Sequence, residues 1–151
     1  MNNFQHQHTA HCESGVMSTM LKAQGVDFNE AMVFGLASAL TFVYIPLVKV
    51  NGMPLISYRM PPKSIIKNVA KRLKVRLKIQ KFRAPQAGQE SLDLALAENK
   101  LVGLQTSVFW LPYFPPEMRF HFNAHNLIVY GKEHNDYLIS DPVFETVQRC
   151  A

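Results

Sequence analysis

Hydrophobic residues recur with helical spacing in four stretches of the chain. The first has Met20 and Leu21 on one face and Gly25 as a stop signal, and Asn29 is positioned to cap the second. A third, basic stretch follows Pro61-Pro62 and has isoleucine, valine and leucine on its inner face. The patterns predict helices over residues 12–24, 30–39, 63–73 and about 90–98.

Turn residues and period-two patterns predict the strands. Asn51-Gly52 is typical of a tight hairpin turn between residues 40–50 and 55–59. Polar and apolar side chains alternate strictly from Lys74 to Gln80, which predicts a half-buried strand over residues 74–82. A buried strand is predicted over residues 101–111, and two further strands close the chain. Because helices come first and antiparallel strands come late, the predicted fold class is α+β.

The composition predicts a single globular domain over residues 1–151. Apolar residues make up 48% and charged residues 18%, so a packed core is expected rather than disorder. Two cysteines are too few for a disulfide scaffold. The first fifteen residues are polar and lack the features of a signal peptide, so we expect a cytoplasmic protein.

Residues 31–48 carry no charge, which raises the question of a membrane span. Gly35, Ser38, Thr41 and Pro46 interrupt this apolar run, and its second half is rich in β-branched and aromatic residues. That pattern favours a short helix followed by a buried strand, so we expect no membrane association.

Positive charge is concentrated in one part of the chain. The net charge is +5, and residues 63–83 contain nine Lys or Arg and no Asp or Glu. Such a surface favours an acidic partner, either nucleic acid or an acidic carrier protein. A solvated helix face without any partner is the alternative, and this pattern leaves it open.

A thiol, an imidazole and a carboxylate occur in a suggestive order as Cys12, His125 and Asp141. A hairpin turn centred near residue 133 would pair His125 with Asp141 and Val129 with Tyr137. On one face of the sheet, the carboxylate could then orient the imidazole. Together with a thiol, these are the parts of a nucleophilic cysteine enzyme.

Cys12 begins a predicted helix, where free N–H groups and the helix dipole lower the pKa of a thiol. Its backbone N–H can form half of an oxyanion hole, and proximity in sequence makes Gln7 and then Gln5 the side-chain candidates for the other half. His121 is a rival to His125. The histidines before Cys12 lack a second ligand pair, so no metal site is predicted. A packed cysteine and a satisfied strand histidine are the ordinary alternatives.

Five short motifs stand out around these residues: His11-Cys12-Glu13-Ser14, Glu30-Ala31-Met32-Val33-Phe34-Gly35-Leu36, Leu111-Pro112-Tyr113, Ala124-His125-Asn126-Leu127-Ile128-Val129-Tyr130-Gly131 and Ser140-Asp141-Pro142. Together they resemble the N-terminal domain of the butirosin biosynthesis protein H family, a relative of the C39-like and papain-like cysteine peptidases. The resemblance covers nearly the whole chain.

The resemblance implies a papain-like α+β fold, with an N-terminal helix packed on an antiparallel sheet, and a triad of Cys12, His125 and Asp141. It also implies acyl transfer from an acyl carrier protein thioester to an amine or hydroxyl of a small molecule. No cofactor of the chain's own is expected, because the phosphopantetheine belongs to the carrier, and nucleic acid becomes the less favoured partner. The carrier-docking candidates are Lys67, Lys71, Lys74 and Arg76.

The chain departs from these relatives in places. Glu13 stands where C39 peptidases commonly have glycine, and His6 stands six residues before the cysteine, where they have the oxyanion glutamine. The family usually continues into a C-terminal region, so we expect either a truncated chain or a short stand-alone member. Two other functions stay open: a peptidase or amide hydrolase with the same triad, and a non-catalytic papain-like binding module.

Overall fold

The computed structural model describes residues 4–50 and 52–151, apart from the side chain of Val50. Within these residues, four α-helices and two antiparallel sheets confirm the predicted α+β fold class. The helices are α1 (Cys12–Ala23), α2 (Glu30–Leu36), α3 (Ser64–Leu73) and α4 (Pro85–Ala97). The strands are β1 (Leu40–Val50), β2 (Met53–Arg59), β3 (Val102–Thr106), β4 (His125–Glu133), β5 (Asp136–Ser140) and β6 (Gln148–Cys150), and short 3-10 turns occupy Val108–Trp110 and Pro116–Met118.

Capping side chains fix the starts of the first two helices. The side chain of His11 accepts a hydrogen bond from a backbone N–H in the first turn of α1. Asn29 caps α2 in the same way, as predicted. The helix ends at Leu36 rather than at residue 39, because Ser38 adopts the left-handed conformation (φ 51°) and turns the chain into β1.

The uncharged stretch over residues 31–48 is divided between α2 and β1, as expected. The expectation that this strand is buried is wrong, because Leu40, Phe42, Tyr44 and Leu47 are exposed. None of the helices that the structure describes is long and apolar enough to cross a membrane. β1 and β2 form the predicted hairpin, and β2 begins at Met53 rather than at Leu55. Gly52 has a φ of 83°, which glycine adopts without strain. Asn51 of the predicted turn lies outside the described residues.

The strand predicted over residues 74–82 is wrong. These residues are exposed and pair with none of the strands that the structure describes. Lys74 follows α3 in the left-handed conformation (φ 56°), and the segment after it does not reach a sheet edge. Because alternating apolar and basic side chains form a strand only beside a partner strand, the segment stays irregular.

Two later boundaries also differ from the prediction. α4 begins at Pro85 rather than near residue 90, because proline fits the first turn of a helix. The strand predicted as buried over residues 101–111 is shorter and only partly buried, and a 3-10 turn follows it from Val108. β3 ends at Thr106 because this residue pairs with His125, the first residue of β4.

The larger sheet has the strand order β3-β4-β5-β6, and all neighbouring strands are antiparallel. Val129 pairs with Ile139 instead of the predicted Tyr137, which is a shift of two residues. An irregularity just after Val129 accompanies the shift. Since a shift of two residues keeps every side chain on its own face, His125 and Asp141 still belong to the same face.

Two hydrophobic clusters form the core of the described residues. The first joins α1, α2 and α3 through buried side chains that include Met17, Leu21, Val33, Ile65 and Val69. The second lies on the sheet and includes Val108, Leu111, Phe114, Leu127, Val129 and Ile139. α1 packs against β4, which confirms the predicted packing of a helix on an antiparallel sheet.

Candidate active site

The Cys12 thiol lies where the first residue of α1 meets the start of β4. Asn126 Nδ2 lies 3.7 Å from Cys12 Sγ, and the Ala124 carbonyl oxygen lies 4.0 Å from the same sulfur. The imidazole of His125 also interacts with the thiol. The packing of α1 on β4 therefore brings the cysteine to a histidine that is distant in sequence.

His125 and Asp141 form a buried pair. His125 Nε2 lies 2.7 Å from Asp141 Oδ2, and the two residues are 3% and 0% exposed. When Nε2–H donates to the carboxylate, Nδ1 is the ring nitrogen left for the thiol. The structure thus brings the three predicted residues together in the order thiol, imidazole, carboxylate.

Tyr113 completes the surroundings of Asp141, which the sequence did not predict. Its hydroxyl donates to Asp141 Oδ2 at 2.9 Å, while Val143 N donates to Oδ1 at 3.1 Å. Burial and the nearby Asp141 raise the pKa of Tyr113, so the hydroxyl keeps its proton and donates. The one sequence signal for this role was the motif Leu111-Pro112-Tyr113. With His125, these donors hold the carboxylate in one orientation.

The electrostatics of the site favour a thiolate beside an imidazolium. Burial opposes ionisation of the Cys12 thiol, but hydrogen bonds with His125 and Asn126 outweigh it and hold the pKa of Cys12 below its ordinary value. Burial also disfavours the imidazolium, yet the hydrogen bonds of His125 with Asp141 and Cys12 raise the pKa of His125 to about 9. Both shifts favour the state of the pair in which His125 holds the proton.

Glu30 fixes the turn that precedes the nucleophile. Its carboxylate accepts hydrogen bonds from Ala10 N at 3.0 Å, His11 N at 2.6 Å and Ser14 Oγ at 3.2 Å. Arg59 contacts the far side of the His11 ring through its guanidinium. Ala10, His11 and Ser14 lie within two residues of Cys12, and Glu30 and Arg59 bind them. This network therefore fixes where α1 begins.

Glu13, which departs from the glycine of C39 peptidases, has a structural role in this chain. It is buried, and its carboxylate accepts hydrogen bonds from Lys63 N at 3.0 Å and Ile66 N at 3.2 Å. These N–H groups belong to the start of α3, where a carboxylate is favoured by the helix dipole. The Glu13 carboxylate, although next to Cys12 in sequence, therefore binds the start of α3.

The segment before Cys12 crosses α1 at Gly15. A Cβ at this position would lie 1.8 Å from Thr9 Oγ1, so only glycine permits the crossing. Thr9 N then donates to the Pro142 carbonyl at 3.0 Å. This bond ties the chain just before Cys12 to the residue just after Asp141.

The predicted oxyanion candidates lie along the same N-terminal segment. Gln7 Oε1 accepts a hydrogen bond from Thr19 Oγ1 at 3.2 Å. Thr19 lies two turns, or about 10 Å, along α1 from Cys12. Gln5 is exposed. The contact of Gln7 does not bring its carboxamide to the thiol. An oxyanion role for Gln7 or Gln5 stays a prediction.

The other histidines named in the sequence make structural contacts. His6, at the position of the relatives' glutamine, contacts Ser140 Oγ at 2.7 Å and the Phe144 carbonyl at 2.9 Å through its two ring nitrogens. His121 stacks on Phe109 with ring centroids 4.0 Å apart, and it is exposed. Within the described residues, no group of three or more His, Cys, Asp or Glu could hold a metal ion.

Comparison with known proteins agrees with the resemblance carried by the motifs. A family model described as butirosin biosynthesis protein H, N-terminal, matches residues 11–142. The chain belongs to this family. The matched region contains Cys12, His125 and Asp141, and the family is named for a biosynthetic protein. No match was found among curated proteins or among solved structures.

Proposed function

We propose that the chain is a cysteine-dependent acyltransferase with a papain-like active site. The observation that carries the proposal is the buried contact of His125 with Asp141 beside the Cys12 thiol. A thiolate held next to an imidazolium is an activated nucleophile. Membership of a biosynthetic family favours group transfer, and exchange of one thioester for another is nearly balanced in free energy.

In the first half of the proposed reaction, the Cys12 thiolate attacks the carbonyl carbon of a carrier-bound thioester. The new S–C bond forms while the carbonyl π electrons move onto oxygen. When the carbonyl re-forms, the carrier sulfur leaves and takes the proton of the His125 imidazolium. The products are an acyl-enzyme on Cys12 and a free carrier thiol.

In the second half, the amine or hydroxyl of a small acceptor attacks the acyl-enzyme and gives its proton to His125. Collapse of this intermediate releases the acylated acceptor and restores the Cys12 thiolate beside a protonated His125. Asp141 keeps the imidazole oriented in both halves. The chain needs no cofactor of its own in this scheme, because the phosphopantetheine arm comes with the carrier.

The proposed docking surface for the carrier is the exposed basic surface formed by Lys67, Lys71, Lys74 and Arg76. Lys67 and Lys71 share one face of α3 because they are spaced one helical turn apart. The net charge of +5 and the lack of acidic residues over residues 63–83 support an acidic partner. Carrier proteins that present acidic surfaces fit this chemistry.

Reversing the charge of Lys67 and Lys71 to glutamate is expected to raise KM for the loaded carrier on the order of tenfold at low salt, with kcat nearly unchanged. The difference in KM between the variant and the wild type should decrease as ionic strength rises, because exposed charges are screened. Steady-state kinetics with the carrier at several salt concentrations measure it. The double variant Lys22→Glu, Lys49→Glu has the same net charge and serves as control. An equal rise in KM for both variants would contradict docking at this surface.

Intact-protein mass spectrometry after incubation with an acyl-loaded carrier tests the proposed function. We expect the protein to gain the mass of the acyl group, with the label mapping to Cys12 and absent from Cys12→Ala. Cys150→Ser should be labelled to the same extent as the wild type. An unlabelled protein with the carrier thioester intact, over a range of acyl groups, would overturn the proposal.

Transfer and hydrolysis share the first half of the reaction and differ in the second. Adding a panel of small amines and alcohols to the labelled protein separates them. Transfer predicts that an acceptor discharges the acyl-enzyme faster than water does and appears as an acylated product. Discharge at one rate with or without acceptors, giving only the free acid, would favour a hydrolase.

A further inference from the structure

The proposed attack on a thioester creates an oxyanion that needs hydrogen-bond donors. The backbone N–H of Cys12 is one donor, because the first N–H groups of α1 have no partner within the helix. The contact of Gln7 with Thr19 lies about 10 Å along the helix from this point. This contact holds the Gln7 carboxamide away from the thiol, so a second donor from another element of the fold fits the site better.

Asn126 is the polar side chain that reaches the sulfur from β4. It is 3% exposed, and its Nδ2 lies 3.7 Å from Cys12 Sγ. The same nitrogen donates to the Ala124 carbonyl at 2.9 Å, which fixes the carboxamide in place. An amide nitrogen carries two N–H groups, so one binds Ala124 and the second remains for a group bonded to Sγ.

The distance allows a hydrogen bond to the sulfur and also leaves Nδ2 within reach of an oxyanion on the attacked carbon. An oxygen on the carbon that Sγ attacks lies two bonds from the sulfur, and a substrate bound with this oxygen towards Nδ2 places it near the amide. A donor 3.7 Å from Sγ can then lie about 2.7–3.1 Å from that oxygen, the range that effective oxyanion donors occupy. The buried position excludes water, which would otherwise compete for the developing charge.

We infer that Asn126 Nδ2 is the second donor of the oxyanion hole, opposite the backbone N–H of Cys12; this inference rests on the proposed function. The carboxamide donates a hydrogen bond as the carbonyl π electrons move onto oxygen, and it transfers no proton. When the carrier sulfur leaves, the electrons return to the carbonyl and the hydrogen bond weakens. Asn126 is thus a catalytic residue that touches the reacting oxygen.

Gln105 is the competing donor. It pairs with Asn126 across β3 and β4, and its Nε2 is buried without a hydrogen-bond partner among the described residues. Asn126 is the better assignment because its side chain contacts Cys12 Sγ directly. Gln105 is the cross-strand partner of Asn126. Separate variants of the two residues distinguish them.

Two reactions of the same thiolate test the inference. Acylation by p-nitrophenyl acetate passes through an oxyanion, whereas alkylation by iodoacetamide does not. In Asn126→Ala we expect acylation to fall about 10²–10³-fold, while alkylation at its high-pH plateau changes by less than about threefold. Asn126→Gln, which keeps a carboxamide, should recover part of the acylation rate and keeps the test usable if the alanine variant folds poorly.

Asn68→Ala is the matched control, because Asn68 Nδ2 also donates to a backbone carbonyl, that of Ala37, at 2.9 Å. It should keep both rates. Equal losses of acylation and alkylation in Asn126→Ala and Asn126→Gln would overturn the inference, since that is the result of a purely structural role. A shift in the pH midpoint alone, or a selective acylation loss in Gln105→Ala but not Asn126→Ala, would also overturn it. A wild type that no ester or thioester acylates would instead overturn the proposed function.

Discussion

Replacing His125 with alanine is expected to slow acylation of Cys12 by about 10³–10⁴-fold at neutral pH. The variant loses the imidazolium that stabilises the thiolate, so the pKa of Cys12 should rise towards the free-thiol value of about 8.5, because only the hydrogen bonds with Asn126 then oppose the effect of burial. It also loses the group that protonates the leaving sulfur. Single-turnover acylation by a thioester, followed against pH, measures both effects.

The acylation rate of the wild type should rise and then fall as pH increases. The rate should rise as the thiol ionises, below the ordinary range of a cysteine, and fall as pH passes about 9, where His125 loses its proton. His125→Ala should lack the fall. His134→Asn is the control, because His134 is exposed at the turn between β4 and β5 and adopts a left-handed φ of 57° that asparagine tolerates. If His125→Ala acylated at the wild-type rate, the assignment of His125 would fail.

Replacing Asp141 with alanine is expected to lower the free energy of unfolding by about 3–5 kcal/mol, as breaking a buried ion pair does. The residue is fully buried, and its removal leaves His125, Tyr113 and Val143 N without their acceptor. Urea denaturation near pH 7 measures the loss. Tyr113→Phe removes one donor but leaves the pair intact, so it should cost only about 1–2 kcal/mol.

The difference in unfolding free energy between the wild type and Asp141→Ala should decrease as pH rises. The pKa of His125 is raised in the folded protein to about 9, so its pairing with Asp141 contributes fully below its unfolded value of about 6.5 and is lost as pH rises through about 9. The gap between wild type and Asp141→Ala should therefore narrow above pH 9. A destabilisation of Asp141→Ala below about 1 kcal/mol at pH 7 would contradict this view of the pair.

Local signals predicted the helices and the fold class well because they act over a few residues. Asn29 caps α2 where the sequence placed it, and Cys12 is the first residue of α1. The alternation over residues 74–82 predicted a strand, yet a strand needs a partner whose position is a property of the whole fold. The register of the last hairpin differed by two residues for a similar reason, since the irregularity after Val129 has no signal in the sequence.

The sequence predicted the three central residues of the candidate site more easily than their surroundings. His125 and Asp141 meet because a two-residue shift preserves the faces of β4 and β5, and the packing of α1 on β4 adds Cys12. Proximity in sequence suggested Gln7 for the oxyanion hole, but Asn126 reaches the sulfur because α1 packs on β4. Tyr113 reaches Asp141 from a loop whose path no local pattern predicts.

The proposed function depends on Cys12 being an ionised nucleophile paired with His125. The most direct test of this pairing is the rate of Cys12 alkylation by iodoacetamide as a function of pH, in a Cys150→Ser background so that only one thiol reacts. This pairing predicts a midpoint below the free-thiol pKa of about 8.5, and a rise towards that value in His125→Ala. A wild-type midpoint at or above about 8.5 that is unchanged in His125→Ala would contradict it.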